Sequence, residues 1–185
     1  MTSEREKMLL GEFYDASDSE LVAGRVRARR LTQRLNALDP AENEARQLLL
    51  GDLLGGYGAD SWVESPFRCD YGAQIRLGAR VYVNMGCVFL DAAPVILGDD
   101  VQVGPCVQLL TSDHPRDAAQ RAAGLESARP ITIGARAWLG GGAIVLPGVE
   151  IGHDTIIGAG SVVTRSIGSG LVAAGNPCRV IAQGA

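Results

Sequence analysis

The stretch Ile133–Thr164, IGARAWLGGGAIVLPGVEIGHDTIIGAGSVVT, decides how this chain of 185 residues is read. In steps of six it places an aliphatic residue at Ile133, Leu139, Val145, Ile151, Ile157 and Val163. Glycine follows directly at Gly134, Gly140, Gly152 and Gly158. A small or β-branched residue stands four places after the first five aliphatics, at Ala137, Ala143, Val149, Thr155 and Ser161. A helix repeats every ~3.6 residues and a strand every ~2, so neither produces sixes. A short strict period implies a solenoid, because no single repeat can bury its own apolar face and stacking must supply the core.

Each hexad then makes one short strand and a turn, and three hexads make one triangular coil of a parallel β-helix. Working outward, the sixes begin at Trp62. Tyr71, Leu77, Val83 and Phe89 form one phase, with Cys69, Ile75, Val81, Cys87 and Ala93 in the small inward slot. Two extra residues around Pro94 shift the phase, which resumes at Leu97, Val103 and Leu109. Between His114 and Pro130 the pattern lapses into HPRDAAQRAAGLESARP, polar and alanine-rich, and returns in phase at Ile133. An inserted loop at about 115–130 projects from one coil, and such loops on a regular scaffold usually carry function. After Val163 the pattern fades, and SIGSGLVAAGNPCRVIAQGA is expected to cap the open end. The expected organisation is a helical segment over 1–57, then a β-helix over 58–185.

Composition agrees with a solenoid. The 24 glycines are about twice the usual share of roughly 7% and serve as turn punctuation. Aromatics are only 5% against 46% hydrophobic residues, so the core must be aliphatic. A net charge of −4 argues against nonspecific binding to nucleic acid or an anionic membrane. No apolar run approaches the ~20 residues of a membrane span, and the charged start MTSEREKMLLGEF has no secretory apolar core. A cytoplasmic protein is expected. The four cysteines, Cys69, Cys87, Cys106 and Cys178, form no CxxC pair and read as buried, reduced and structural.

The first fifty-odd residues have another grammar. Ser3 with Glu6 and Ser17 with Glu20 have capping-box spacing. They predict a short helix ending at Gly11 and a longer one from about Asp18 to Leu38, carrying Arg25, Arg27, Arg29, Arg30 and Arg34. Asp39-Pro40 reads as N-cap and first turn of a third helix, which docks through Leu48, Leu49, Leu50, Leu53 and Leu54 and ends before Gly55-Gly56.

Five segments taken together resemble one family. EKMLLGEFYDASDSEL, PFRCDYGAQIRLG, TSDHP, ITIGARAWLGGGAIVLPGVEIG and GNPCRVI occur in the order seen in maltose O-acetyltransferases, with galactoside and nodulation-factor O-acetyltransferases as relatives. The resemblance covers nearly the whole chain. It implies a left-handed coil, acetyl-CoA as co-substrate, a sugar hydroxyl as acceptor, and a homotrimer with acetyl-CoA in the cleft between subunits.

Acetyl transfer from a thioester to a hydroxyl needs a base, a polarised carbonyl and a nucleotide anchor. The chain has two histidines. His114 begins the loop and is followed by Pro115; an imidazole with an ordinary pKa near ~6.5 can take a hydroxyl proton and return it to the leaving thiolate. By itself it would read as a surface histidine; the loop and the resemblance make it the candidate general base. His153 lies in a regular hexad and reads as a turn residue. Two histidines fall short of the three that a metal-dependent relative such as a β-helical carbonic anhydrase needs, so no metal is expected.

Asn84 stands in a glycine slot. Its amide can donate to a developing oxyanion or hold the acceptor, and the resemblance places the active-site asparagine there; tolerance of a tight turn would also explain it. Asp70 and Asp91 match acceptor-binding positions, although galactoside enzymes differ at Asp70. Tyr82 and Asp15 are further acceptor candidates. For the cofactor, Arg165 and Arg179 suit the phosphates of coenzyme A. Thr164, Gly141 and Ala159 match positions along the pantetheine arm, Gly141 standing where galactoside enzymes have a serine. Trp138 packs either near the arm or between coils. No serine or cysteine is paired with a base as a nucleophile, so transfer is read as direct, in a ternary complex. Two other readings remain open: an acetyltransferase of another acceptor (serine, an amino sugar, an antibiotic), and a non-enzymatic solenoid for binding or assembly.

Overall fold

The computed structural model describes residues 2–184. Three helices open the chain: α1 (Glu4–Leu10), α2 (Ser19–Asn36) and α3 (Asn43–Leu53). Three parallel sheets follow, visited in rotation. Face I holds Gly56–Tyr57, Ile75–Leu77, Val95–Leu97, Ile131–Ile133 and Glu150–Ile151. Face II runs from Trp62–Val63 through Tyr82–Val83, Gln102–Val103, Trp138–Leu139 and Ile156–Ile157 to Leu171–Ala174, where Arg179–Gln183 folds back antiparallel as the cap. Face III holds Arg68–Cys69, Val88–Leu90, Gln108–Leu110, Ile144–Val145 and Val162–Val163. The six-residue period thus becomes a three-sided prism whose interior is a stack of aliphatic side chains such as Leu97, Ile133 and Ile151 on face I.

Partner residues are eighteen apart in the late coils (Ile133 to Ile151) but twenty apart in the early ones (Leu77 to Leu97). The extra pairs of residues all fall at the corner between faces III and I, once at Asp70–Gln74 and once at Asp91–Pro94. This corrects the phase read from the sequence, which found only the second slip. Cys69 occupies an aliphatic slot, paired with Phe89, rather than a small one. Tyr71 and Ala93 leave the solenoid core for a second cluster with Met8, Tyr14, Leu21, Ala92 and Ala128. A bulge of two residues moves each side chain to a new neighbour without changing its type, so composition alone could not reveal it.

The helices keep most of their expected signals. Ser3 and Glu6 form the capping box, and α1 ends at Gly11 in the left-handed region (φ 75°), which favours glycine. The cap of α2 is Asp18, not Ser17; Ser17 instead donates to the Asp15 carboxylate. α2 also stops at Asn36, before Leu38. Asp39–Glu42 closes on itself as a turn, so α3 begins only at Asn43 with Glu42 before it. Leu49, Leu50, Leu53 and Leu54 bury as expected, while Leu48 points to solvent. Cys106 is likewise exposed, and the other three thiols are buried; all four are free.

The inserted segment is more ordered than the sequence suggested. It carries a short helix α4 (Ala118–Ala122) and returns through strand Leu125–Ala128. That strand is the centre of a small antiparallel sheet, flanked by Ser112–Asp113 and by Tyr14–Asp15 of the N-terminal segment.

Candidate active site

The candidate residues divide between two edges of the prism. Asn84, Gly141 and Ala159 lie at the corner between faces II and III, each just after a face II strand. Asp70, His114, Thr164 and Arg165 lie at the corner between faces III and I, each after a face III strand. Within one chain, face III separates the two groups.

At the first edge the geometry follows from close stacking. The amides of Asn84, Gly104 and Gly140 each donate to the carbonyl of an aliphatic residue one coil on, Val103, Leu139 and Ile157. A Cβ on Gly104 would lie 2.6 Å from the Gly141 nitrogen, so the column admits almost nothing but glycine there. Asn84 fits where that restriction is absent. Its Oδ1 accepts from the Met85 amide at 2.8 Å, which leaves the amide NH₂ without a partner among the described residues. A donor held this way suits a developing oxyanion. At Gly141 a Cβ would meet the Pro105 ring at 3.2 Å. A larger residue there would press on Pro105.

At the second edge, Ser112–Asp113 delivers His114 to the surface. The Asp113 carboxylate accepts from the His114 backbone amide at 2.8 Å and pairs with Arg116 at 3.1 Å and Arg129 at 3.8 Å. The turn that starts the loop is therefore held by side chains from both its ends. Beside it lies a cavity of about 200 Å³ lined by Tyr14, Arg25, Asp70, Tyr71, Ser112 and Glu126 among others. Tyr14 is buried and its hydroxyl donates to Glu126 at 2.9 Å; burial and the nearby carboxylate both push that phenol's pKa up. Arg25 donates to the Tyr71 hydroxyl at 2.7 Å and to the Ala16 carbonyl at 2.6 Å. Burial raises the pKa of Asp70, against the pull of Arg25. Carboxylates, a phenol and a guanidinium around a small cavity are groups that hold hydroxyls.

Asp91 does not belong to that cavity, which corrects its reading as an acceptor ligand. It is fully buried, and its carboxylate accepts from the backbone amides of Asp70 (3.1 Å), Tyr71 (2.8 Å) and Gln74 (3.2 Å). It staples the bulge of the preceding coil. Burial pushes its pKa up to about 6, the backbone donors opposing this. One coil on, Thr111 does the same for Asp91's own bulge, accepting from Ala93 at 3.0 Å and donating to Leu90 at 2.6 Å. No sequence signal marked Thr111, although the slip it serves, around Pro94, was visible.

The remaining candidates are spread out. Asp15 is exposed, with its carboxylate taken by the Ser17 amide and hydroxyl at 2.8 and 2.7 Å. Tyr82 lies on the outer side of face II, 3.4 Å from Glu64. Trp138 stands exposed on the same face. Thr164 and Arg165 are exposed, and Arg179 donates to the neighbouring Cys178 carbonyl at 2.7 Å. His153 is a turn residue bonded to Asp154 at 2.7 Å, as expected. Among the described residues, no three His, Cys, Asp or Glu side chains gather as a metal would require. No described helix is long and apolar enough to cross a membrane.

Comparison with known proteins adds to this geometry. The pattern described as the maltose acetyltransferase hexapeptide capping motif matches residues 7–58, and that of the bacterial transferase hexapeptide (six repeats) matches residues 130–165. Nodulation protein L of Rhizobium leguminosarum bv. viciae is 50% identical over 98% of this chain and 96% of its own length. A crystal structure of a maltose O-acetyltransferase from Clostridium difficile 630 superposes with TM-score 0.97 at 44% identity, covering 99% and 98% of the two chains. A galactoside acetyltransferase in complex with coenzyme A superposes with TM-score 0.95 at 35% identity, covering 99% and 92%.

Proposed function

Because this chain belongs to the hexapeptide-repeat acetyltransferase family, in its maltose and galactoside branch, we propose that it is a sugar O-acetyltransferase using acetyl-CoA. The observation that carries this reading is the polar cavity of Tyr14, Arg25, Asp70 and Glu126 beside the strand that ends next to His114. Hydroxyl-binding groups and a base stand at one edge of the prism. A galactoside acetyltransferase of the same fold is known in complex with coenzyme A.

In this mechanism the acceptor hydroxyl gives its proton to the His114 imidazole as its oxygen attacks the thioester carbonyl. The Asn84 amide donates to the oxyanion that forms. Collapse breaks the carbon–sulfur bond, and His114 returns the proton to the departing thiolate. Gly141, Ala159 and Thr164 flank the pantetheine arm, and Arg165 and Arg179 take the phosphates. Asp70 holds the sugar, with Tyr82 and Asp15 further out.

The reading requires a second copy of the chain, and the homotrimer meets that need. What supports it is face III, whose outward side chains include Val88, Leu90, Leu110, Ile144, Leu146 and Val162, all partly exposed. Only Arg68 brings a charge to its strands. An apolar sheet face seeks cover. Covering it with neighbours around a threefold axis brings the Asn84 edge of one copy to the His114 edge of the next.

The test is His114→Ala with a panel of neutral sugars, read as free coenzyme A. Turnover is expected to fall about 1,000-fold, with thermal stability and acetyl-CoA binding unchanged. Retained turnover would overturn the assignment of the base; no turnover of any sugar by the wild type would overturn the acceptor class.

A further inference from the structure

The arginines of α2 stand apart from the rest of the molecule. Ser19–Asn36 carries Arg25, Arg27, Arg29, Arg30 and Arg34 against one acid, Glu20, in a chain whose net charge is −4. Outside α2, Arg46, Arg68, Arg76, Arg121, Arg165 and Arg179 are scattered along the chain and pair with no carboxylate among the described residues, whereas Arg5, Arg80, Arg116, Arg129 and Arg136 each pair with one, Glu20 itself being held by Arg5. Among the described residues no arginine of α2 does. Arg25 and Arg27 donate to a phenol and to backbone carbonyls. Arg29, Arg30 and Arg34 are exposed and have no side-chain partner among the described residues.

This charge is continuous with the candidate cavity. Arg25 lines the cavity, and Arg29, one turn on, is close enough for its charge to act on Asp70. From there the helix runs along the solenoid to Asn36, whose side chain exchanges two hydrogen bonds of 2.9 Å with the Phe67 backbone. Arg25 to Arg34 spans about 14 Å of helix axis, the reach of a short oligosaccharide. The negative charge of the remaining chain does not cancel this field, because screening limits it to about 8 Å at physiological salt. Guanidinium forks favour carboxylate, sulfate or phosphate groups. The exposed side of α2 offers Val22, Val26 and Gln33 but no aromatic ring for a base to stack on, which disfavours single-stranded nucleic acid.

We infer that the acceptor is an acidic oligosaccharide: one sugar unit enters the cavity and the anionic units beyond it lie along Arg29, Arg30 and Arg34. This rests on the sugar acetyltransferase reading and narrows its substrate class.

Two probes of equal length, maltotetraose and tetragalacturonate, test it by calorimetric binding and by release of free coenzyme A. At low salt the wild type is expected to bind the acidic probe at least about tenfold more tightly, with the difference shrinking as salt rises. The triple variant Arg29→Ser/Arg30→Ser/Arg34→Ser should bring the two probes to parity while leaving thermal stability and acetyl-CoA binding unchanged. Equal affinity for both probes in the wild type would overturn the inference. So would a preference that survives the triple variant, or tight binding of duplex RNA without preference for the acidic sugar. If the arginine-dependent binding holds but no sugar is ever acetylated, the function proposal fails and the binding surface stands.

Discussion

Two corners of the prism obey different rules. Between faces I and II every turn has one form, seen at Gly78–Arg80, Gly98–Asp100, Gly134–Arg136 and Gly152–Asp154. Each glycine amide donates to the carbonyl of an aliphatic residue one coil on, and the last residue of each turn is left-handed, with φ between 56° and 61°. Non-glycine residues rarely adopt that conformation. Here they alternate in sign, and Arg80–Asp100 and Arg136–Asp154 pair side by side at 2.6 Å. Between faces III and I no two of the first three turns match: one bulge is stapled by Asp91, the next by Thr111, and the third opens into the loop that begins at His114. Identical turns stack in register, one on the next. Dissimilar ones leave gaps, and the candidate acceptor cavity is such a gap.

The comparison can be broken at its regular end first. Gly134→Ala would place a Cβ inside contact distance of the His153 nitrogen and the Gly152 carbonyl carbon, both backbone and unable to yield. A loss of about 3 kcal/mol or more is expected in chemical denaturation. A neutral result would mean that the glycine column is not what sets the coil spacing.

At the irregular end the expected effect is slightly smaller and depends on pH. The Asp91 carboxyl has a folded pKa near 6, above its unfolded value, so the folded state binds the proton more tightly. Its contribution to stability is therefore complete below about pH 4 and is lost as pH rises through about 6. The stability of the wild type relative to Asp91→Asn should fall by roughly 2 kcal/mol between pH 4 and 7. Using the difference removes Asp100 and Asp154, whose pKa values are lowered by their arginines and whose contributions are lost in the opposite direction, as pH falls. A flat difference would show that the staple does not titrate in this range.

The smallest effect returns to the regular corner. Arg136→Gln removes an exposed ion pair that solvent screens, and thermal melting at physiological salt should not shift measurably. A clear loss would mean that the charge ladder, and not the glycine column, holds the left-handed turns.

Legibility followed the same division. The late hexads, from Ile133 to Val163, could be read residue by residue because each slot meets the same neighbour in the next coil. The slip at Asp70–Gln74 was hidden because Tyr71 is apolar and fits a false phase as well as the true one. Asp91 was assigned to the acceptor by its position in a motif, yet burial made it a structural staple. His114 and Asn84 were legible as departures from the repeat, since a histidine at the start of a loop and an amide in a glycine slot both break a visible rule. Thr111 breaks none.

What the sequence determined by itself was the solenoid, its aliphatic interior, the capped helices before it and the family to which the whole belongs, because these depend on local period and on short-range hydrogen bonding. Only the tertiary structure decided that both bulges and the loop share one corner, that Tyr14 reaches Glu126 to close a cavity, and that the candidate residues fall on two edges of one face. Those facts depend on which coil lies above which, and two residues added at a turn alter that registry while leaving every local pattern intact.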